Sequence, residues 1–176
     1  MIPNKRLLSF TLALIVFVVM LPDLALSAGE DYEINSLKGI KKVAPIVTLW
    51  ISDNDNLSSL KNTLITQVEL KLRLANIDII STDEPAINAD AILMIEISII
   101  QTDEPPNSYY AFSFLMDVMQ QTKLFRDDSI FTLGSTWATS NMVVNTREQE
   151  FESTLRIQID RYIDQFLNDY LKANPR

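Results

Sequence analysis

Cysteine and histidine are both absent from the 176 residues, and only three glycines occur. Without cysteine there is no disulfide, no thiolate for a metal, no cysteine nucleophile and no cysteine-linked lipid. Without histidine the chain lacks the commonest general base, the commonest transition-metal ligand and the usual partner of a catalytic serine. So few glycines leave no phosphate-cradling loop, and no G-x-S-x-G turn is present. Most familiar active sites are thereby excluded, and no cofactor and no metal are expected.

Positive charge is scarce as well, with 15 Lys and Arg against 23 Asp and Glu. Lys5, Arg6 and Asp23 lie in the amino-terminal segment, so the remainder holds 13 basic and 22 acidic residues, a net charge of −9. No basic stripe is left to displace counterions from phosphates, which argues against nucleic acid and against an anionic membrane surface. Apolar residues make up 47% and charged residues 22% of the chain, within the range of a folded domain and far from that of disorder.

The amino terminus has three parts: a basic segment to Arg6, an apolar run from Leu7 to Leu21, and the small residues of Ala25-Leu26-Ser27-Ala28. This is the layout of a secretory signal. The apolar run of 15 residues falls short of the about 20 that a membrane span needs, and Pro22 and Asp23 end it. Residues 1–27 are therefore read as a signal peptide cleaved near Ser27, with membrane contact only through an uncleaved signal, and the mature chain as periplasmic or secreted. Residues 28–42, polar and without periodicity, read as a flexible lead-in to a single domain at residues 43–174.

Within that domain, Val43 to Ile51 is a β-branched and aromatic run, with Pro45 near its start, and reads as a strand. Asp53-Asn54-Asp55-Asn56 supplies helix-capping residues. Leu57, Leu60, Leu64, Val68, Leu72 and Ala75 then recur at helical spacing. Asn76 suits the left-handed end of that helix, before a short strand at Ile77–Ile80. After a loop at 81–90, Ala91 to Gln101 alternates with period two. A turn around Pro105-Pro106-Asn107 leads into a second alternating run, Tyr109 to Phe125, and Ile130 to Val144 continues as a further strand, with Gly134 marking a bulge or a close approach. From Arg147 onward Phe151, Leu155, Ile159, Tyr162, Ile163, Phe166 and Tyr170 fall on one helical stripe. The expected fold is α+β: a mixed, mostly antiparallel five-stranded sheet in the order β-α-β-β-β-β-α, with two helices packed on one face.

Four groups of residues invite a chemical reading. Asp53 to Asn56 resembles a calcium loop, but Leu57, Ser58 and Leu64 stand where an EF-hand needs a ligand, a glycine and a glutamate. Ser58-Ser59-Leu60-Lys61 and Ser52-Asp53-Asn54 match two penicillin-binding motifs in the wrong order, with no K-T-G after them. Glu96 and Asp117 are carboxylates within apolar strands of one hairpin; held close, such acids share a proton, but each lies on the less apolar face and their register is not legible. Tyr110, Phe112 and Trp137 are the candidates for an apolar ligand. Aromatics at strand period are more often core, and Tyr109 must face away from Tyr110.

Leu37-Lys38-Gly39-Ile40, Leu72-Arg73-Leu74-Ala75-Asn76-Ile77, Ser135-Thr136-Trp137 and Phe166 to Pro175 together resemble a family of small exported bacterial proteins, over most of the mature chain. Asn76 stands where that pattern usually has glycine, and both residues tolerate the left-handed cap. The strand order is also similar to small envelope α/β modules such as the amino-terminal domain of TolB. The resemblance implies a periplasmic home and transfers no catalytic residue. The expected function is a non-enzymatic interaction or accessory module of the cell envelope, with an envelope protein or a second copy as partner. The alternative is a binding protein for a small apolar ligand. Met94 and Ile100, on the face the helices leave uncovered, are the residues that suggest self-association.

Overall fold

Period-two alternation decides which side of each strand is buried, and it builds one sheet here. The structure, a computed structural model, describes residues 31–51, 58–80, 88–104, 107–139 and 141–175. The signal segment and the Asp53–Asn56 cap lie outside them, as do residues 81–87 of the loop. Strands β1 (Lys42–Ile51), β2 (Asp78–Ile79), β3 (Ala91–Glu104), β4 (Asn107–Leu124), β5 (Asp127–Ala138) and β6 (Met142–Arg147) are joined in the order β2-β1-β3-β4-β5, with β6 also on β4. β1 runs parallel to both β2 and β3, whereas β4 is antiparallel to β3, β5 and β6. The expected fold class is therefore what the chain adopts.

Six strands form where five were expected, because the predicted strand at 130–144 is two. β5 and β6 lie end to end along the same edge of β4, on Asp117–Leu124 and Tyr109–Phe114 respectively. At the break, the Thr139 N–H donates to the Met116 carbonyl at 2.8 Å, and the Met116 N–H donates to Thr139 Oγ1 at 3.1 Å. A hydroxyl thus replaces a backbone acceptor, and the ladder survives the interruption. Gly134 stands beside Thr122, where an added Cβ would come within 3.1 Å of Oγ1, and the ladder is irregular at Val118/Met119. Gly134 thus marks the close approach, whereas the bulge lies two residues on, at Thr136, which the register skips between Ser135 and Trp137.

The described part of a short helix, α1, spans residues 31–36, ahead of α2 (Ser58–Leu74) and α3 (Glu148–Ala173). α2 lies over β1, and α3 over β4 and β6. Their stripes, with Leu64, Val68 and Leu72 on α2 and Leu155, Ile159 and Phe166 on α3, close over Leu93, Ile95 and Ile97 of β3 and over Phe112, Phe114 and Met116 of β4. Lys71 of α2 bridges Asp160 and Asp164 of α3 at 3.0 and 2.6 Å, so an ion pair also ties the helices. α2 ends with Asn76 at φ 61°, the Ile77 N–H on the Leu72 carbonyl and the Asn76 N–H on the Arg73 carbonyl, a left-handed cap that turns the chain directly into β2.

The lead-in is where the reading changes. Residues 37–40 are not a loose tether: Leu37 is 0% exposed and Ile40 4%, both within the core cluster. Their polar sequence neighbours hid two core residues.

Candidate functional site

The three segments that carry the family resemblance outside the α2 corner come together in space. Gly39 adopts φ +83°, a conformation that glycine alone reaches without strain, and its N–H donates to Asn174 Oδ1 at 2.7 Å. Asn174 Nδ2 donates to the Leu37 and Tyr170 carbonyls at 3.0 and 2.9 Å, and the Tyr170 hydroxyl to the Ile40 carbonyl at 2.9 Å. Nearby, Ser36 Oγ donates to the Thr136 carbonyl, Gln120 Nε2 donates to the Ser36 carbonyl, and Trp137 Nε1 donates to Asp169 Oδ2 at 3.2 Å. The end of α3 thus clamps the turn after α1 onto the sheet. Most of these hydrogen bonds end on a backbone amide or carbonyl, so this corner is a latch holding the fold together.

The aromatic candidates belong to the covered face. Tyr110 stacks on Phe151 with ring centroids 4.5 Å apart, and Phe112 meets the same ring edge-on at 5.8 Å. Trp137 meets Phe166 at 5.4 Å and is 2% exposed. Rings from α3 thus occupy the positions beside all three. Tyr109, next in sequence, faces the other way and is 39% exposed, as alternation requires.

The opposite face of the sheet carries no helix among the described residues. Near its far end the register sets Trp50, Ser98, Ser113 and Val143 side by side across β1, β3, β4 and β6, followed by Ile100, Ala111 and Asn145 in the next row. Trp50 is 60%, Ile100 58% and Val143 70% exposed. Strands sit about 4.8 Å apart, so Trp50 and Val143 wall a trough about 14 Å across, floored by two serines and an alanine.

Toward the middle of this face the register brings the two acids together. Met94 is opposite Asp117 and Glu96 opposite Leu115, so the carboxylates are diagonal neighbours on one face. Both are half-buried. Burial, and then the nearby Glu96 charge, push the Asp117 carboxyl above the usual carboxylate range, against an opposing hydrogen bond from Ser135. Asp117 Oδ1 is buried and makes no hydrogen bond. A raised acid beside a second carboxylate is able to hold a proton, and it also presents negative charge to anything that covers the face. Among the described residues no acidic, histidine or cysteine cluster suits a metal ion, and no helix is long and apolar enough to cross a membrane.

Trp50, Ser113 and Val143 went unmarked in the sequence. The signal was present in the parity of Trp50 against Val43 and Val47, but the neighbours of a strand come from register, which lies outside any single run. By contrast, the Ser58-x-x-Lys61 match is only the exposed first turn of α2.

No protein-family model matches the chain, and no curated protein matches it. Among solved structures, it is similar to lipoprotein GNA1162 from Neisseria meningitidis, at 10% identity and TM-score 0.42 over 72% of this chain and 98% of that one. The hypothetical protein CT253 from Chlamydia trachomatis is similar at 12% identity and TM-score 0.42, over 77% of this chain and 100% of that one. A minor lipoprotein from Acinetobacter baumannii is similar at 12% identity and TM-score 0.35, over 76% and 92%. At these identities and overlaps no residue role is transferred.

Proposed function

We propose that this chain is a non-enzymatic interaction module of the bacterial envelope, exported on its amino-terminal signal, which holds a partner protein on the uncovered face of its sheet. The observation that carries this reading is the far end of that face, where Trp50, Ile100 and Val143 stand exposed around a floor of Ser98, Ala111 and Ser113. Aromatic side chains are enriched at the centre of protein interfaces, and tryptophan is prominent among the residues that carry binding energy there. Support for the absence of catalysis comes from composition, since histidine and cysteine, the usual bases and nucleophile partners, are missing.

The test is photo-crosslinking in the host envelope from a reactive residue placed at Ser98 or Ser113, compared with one at Ser153 on the exposed side of α3. The expected result is a discrete protein adduct from Ser98 and Ser113 and none from Ser153. Adducts from Ser153 alone, or a turnover of the purified protein that Glu96→Gln abolishes without unfolding it, would overturn the reading.

A further inference from the structure

Met119 is the last residue of β4 to face β3, and beyond it the β4–β5 hairpin runs on as an arm of two strands. A two-stranded ribbon is marginal in water by itself. Met116 turns its N–H and carbonyl toward Thr139, on the β5 side of β4, and alternation turns those of Gln120 and Thr122 the same way. These two residues lie opposite Gly134 and Thr132, so Phe131, Leu133 and Ser135 of β5 turn their own N–H and carbonyl groups outward, away from β4. No strand meets them among the described residues. The free stretch ends at Thr136, whose carbonyl accepts from Ser36 Oγ.

This edge is bare of the usual guards. From Ser129 to Ala138, β5 has no charged residue and no proline, and Phe131 and Leu133 are 53% and 50% exposed. An unguarded edge of that kind is a template for a further strand. By contrast, the opposite margin of the sheet has Pro45 in β1, which removes an N–H from the edge, and β6 ends in Arg147.

We propose that β5 is the contact of a homodimer, in which two copies pair their β5 edges antiparallel about a twofold axis at Leu133 and so join two sheets into one. In this register Leu133 faces Leu133 of the second copy, Phe131 faces Ser135, and Thr132 faces Gly134. All three outward-turned residues then exchange both backbone bonds with their opposites. An axis at Thr132 would instead set Ser135 against Ser129, in the stretch where β5 departs from regular pairing with β4.

The side chains agree with the axis at Leu133. The large Phe131 ring comes beside the small Ser135, Leu133 comes beside its own copy, and Gly134 leaves room for Thr132. Asp127 and Asp128 fall at the ends of the contact, toward Thr139 and Ala138 of the second copy, and the Asp127 carboxylate is held within its own turn by the Ser129 N–H and hydroxyl. No like charges therefore meet. A twofold contact needs only one self-complementary surface, and this edge is one. The contact lies on β5, whereas the trough is built from β1, β3, β4 and β6, so the dimer stands or falls independently of the partner reading.

Because the chain has no cysteine, one can be introduced without background. Opposite residues of a hydrogen-bonded antiparallel pair have Cα atoms about 5.5 Å apart, within reach of a disulfide. Leu133→Cys should therefore oxidise to a covalent dimer, whereas Ser153→Cys, on the exposed side of α3, should stay a single chain under the same conditions. The unaltered mature chain should sediment at twice its own mass. Leu133→Lys sets two ammonium groups opposite each other and should sediment as one chain, with the circular dichroism of the unaltered protein. Should Leu133→Lys not fold, the cysteine result alone decides. A monomer at the highest soluble concentration overturns the proposal. So does a dimer that survives Leu133→Lys, or a Leu133→Cys variant that oxidises no faster than Ser153→Cys.

Discussion

On the covered face, Leu93, Ile95, Ile97 and Ile99 of β3 meet Phe112, Phe114 and Met116 of β4 under two helices, and all are 2% exposed or less. On the other face, the same two strands offer Met94, Glu96, Ser98 and Ile100 beside Ala111, Ser113, Leu115 and Asp117, and these range from half-buried to exposed. One alternation builds both faces, and what separates them is the helices. The covered face spends its large side chains on packing, which makes it intolerant of change; the other mixes large, small and acidic residues without filling the gaps between them. A face built in that way contributes little to folding and is free to serve contact with another molecule.

Substitutions should break or sharpen that contrast in a definite order. Phe114→Ala, which removes a ring stacked 4.7 Å from Tyr162, is expected to lose about 3–5 kcal/mol in chemical denaturation, the range for an aromatic deleted from a core. Asn174→Ala breaks hydrogen bonds to Gly39, Leu37 and Tyr170 in the latch; a loss of about 1–3 kcal/mol is expected from leaving such groups unpaired. Unlike the core change, it should also raise amide exchange around residues 37–40. Trp50→Ser, on the uncovered face, is expected to change stability by no more than about 0.5 kcal/mol while removing the crosslinks formed from Ser98 and Ser113.

Asp117 gives the contrast a pH dependence. Folding raises its proton affinity above the ordinary value of 3.8, so the native state binds more protons than the unfolded one between that value and the raised one. Stability therefore falls as pH rises through this interval, and the whole penalty is present above it. Asp117→Asn removes the penalty. A higher melting temperature than the unaltered protein is expected at pH 7, with the gain vanishing below pH 3.8.

How much of this was legible depended on whether the signal was local. The periodicities of α2 and α3, and of β3 and β4, stand in single runs of residues and predict the class, but not the helix at 31–36 or the division between β5 and β6. Asn76 announced its own corner, because a left-handed residue after a helical stripe has few other uses. The break at Thr139 left no mark, since threonine suits a strand and its hydroxyl repairs the ladder only once Met116 is opposite. Leu37 was hidden by the polar residues around it, and its burial depends on Tyr170 and Asn174, more than 130 positions away. Glu96 and Asp117 stand out in the sequence as acids within apolar runs, but their adjacency is a matter of register between β3 and β4. Phe125 looked like the end of an apolar strand, and became the tip of an arm only because β3 pairs no further than Met119.

The chain's two tryptophans, one on each face, allow the most direct test of the central claim that one face is filled and the other open. Trp137→Phe leaves Trp50 as the sole indole, and Trp50→Phe leaves Trp137, so quenching by acrylamide reads each face separately. Trp50, 60% exposed, is expected to be quenched strongly, and Trp137, 2% exposed, hardly at all. A Trp50 as shielded as Trp137 in the purified protein would mean that the second face is already covered and not open to a partner.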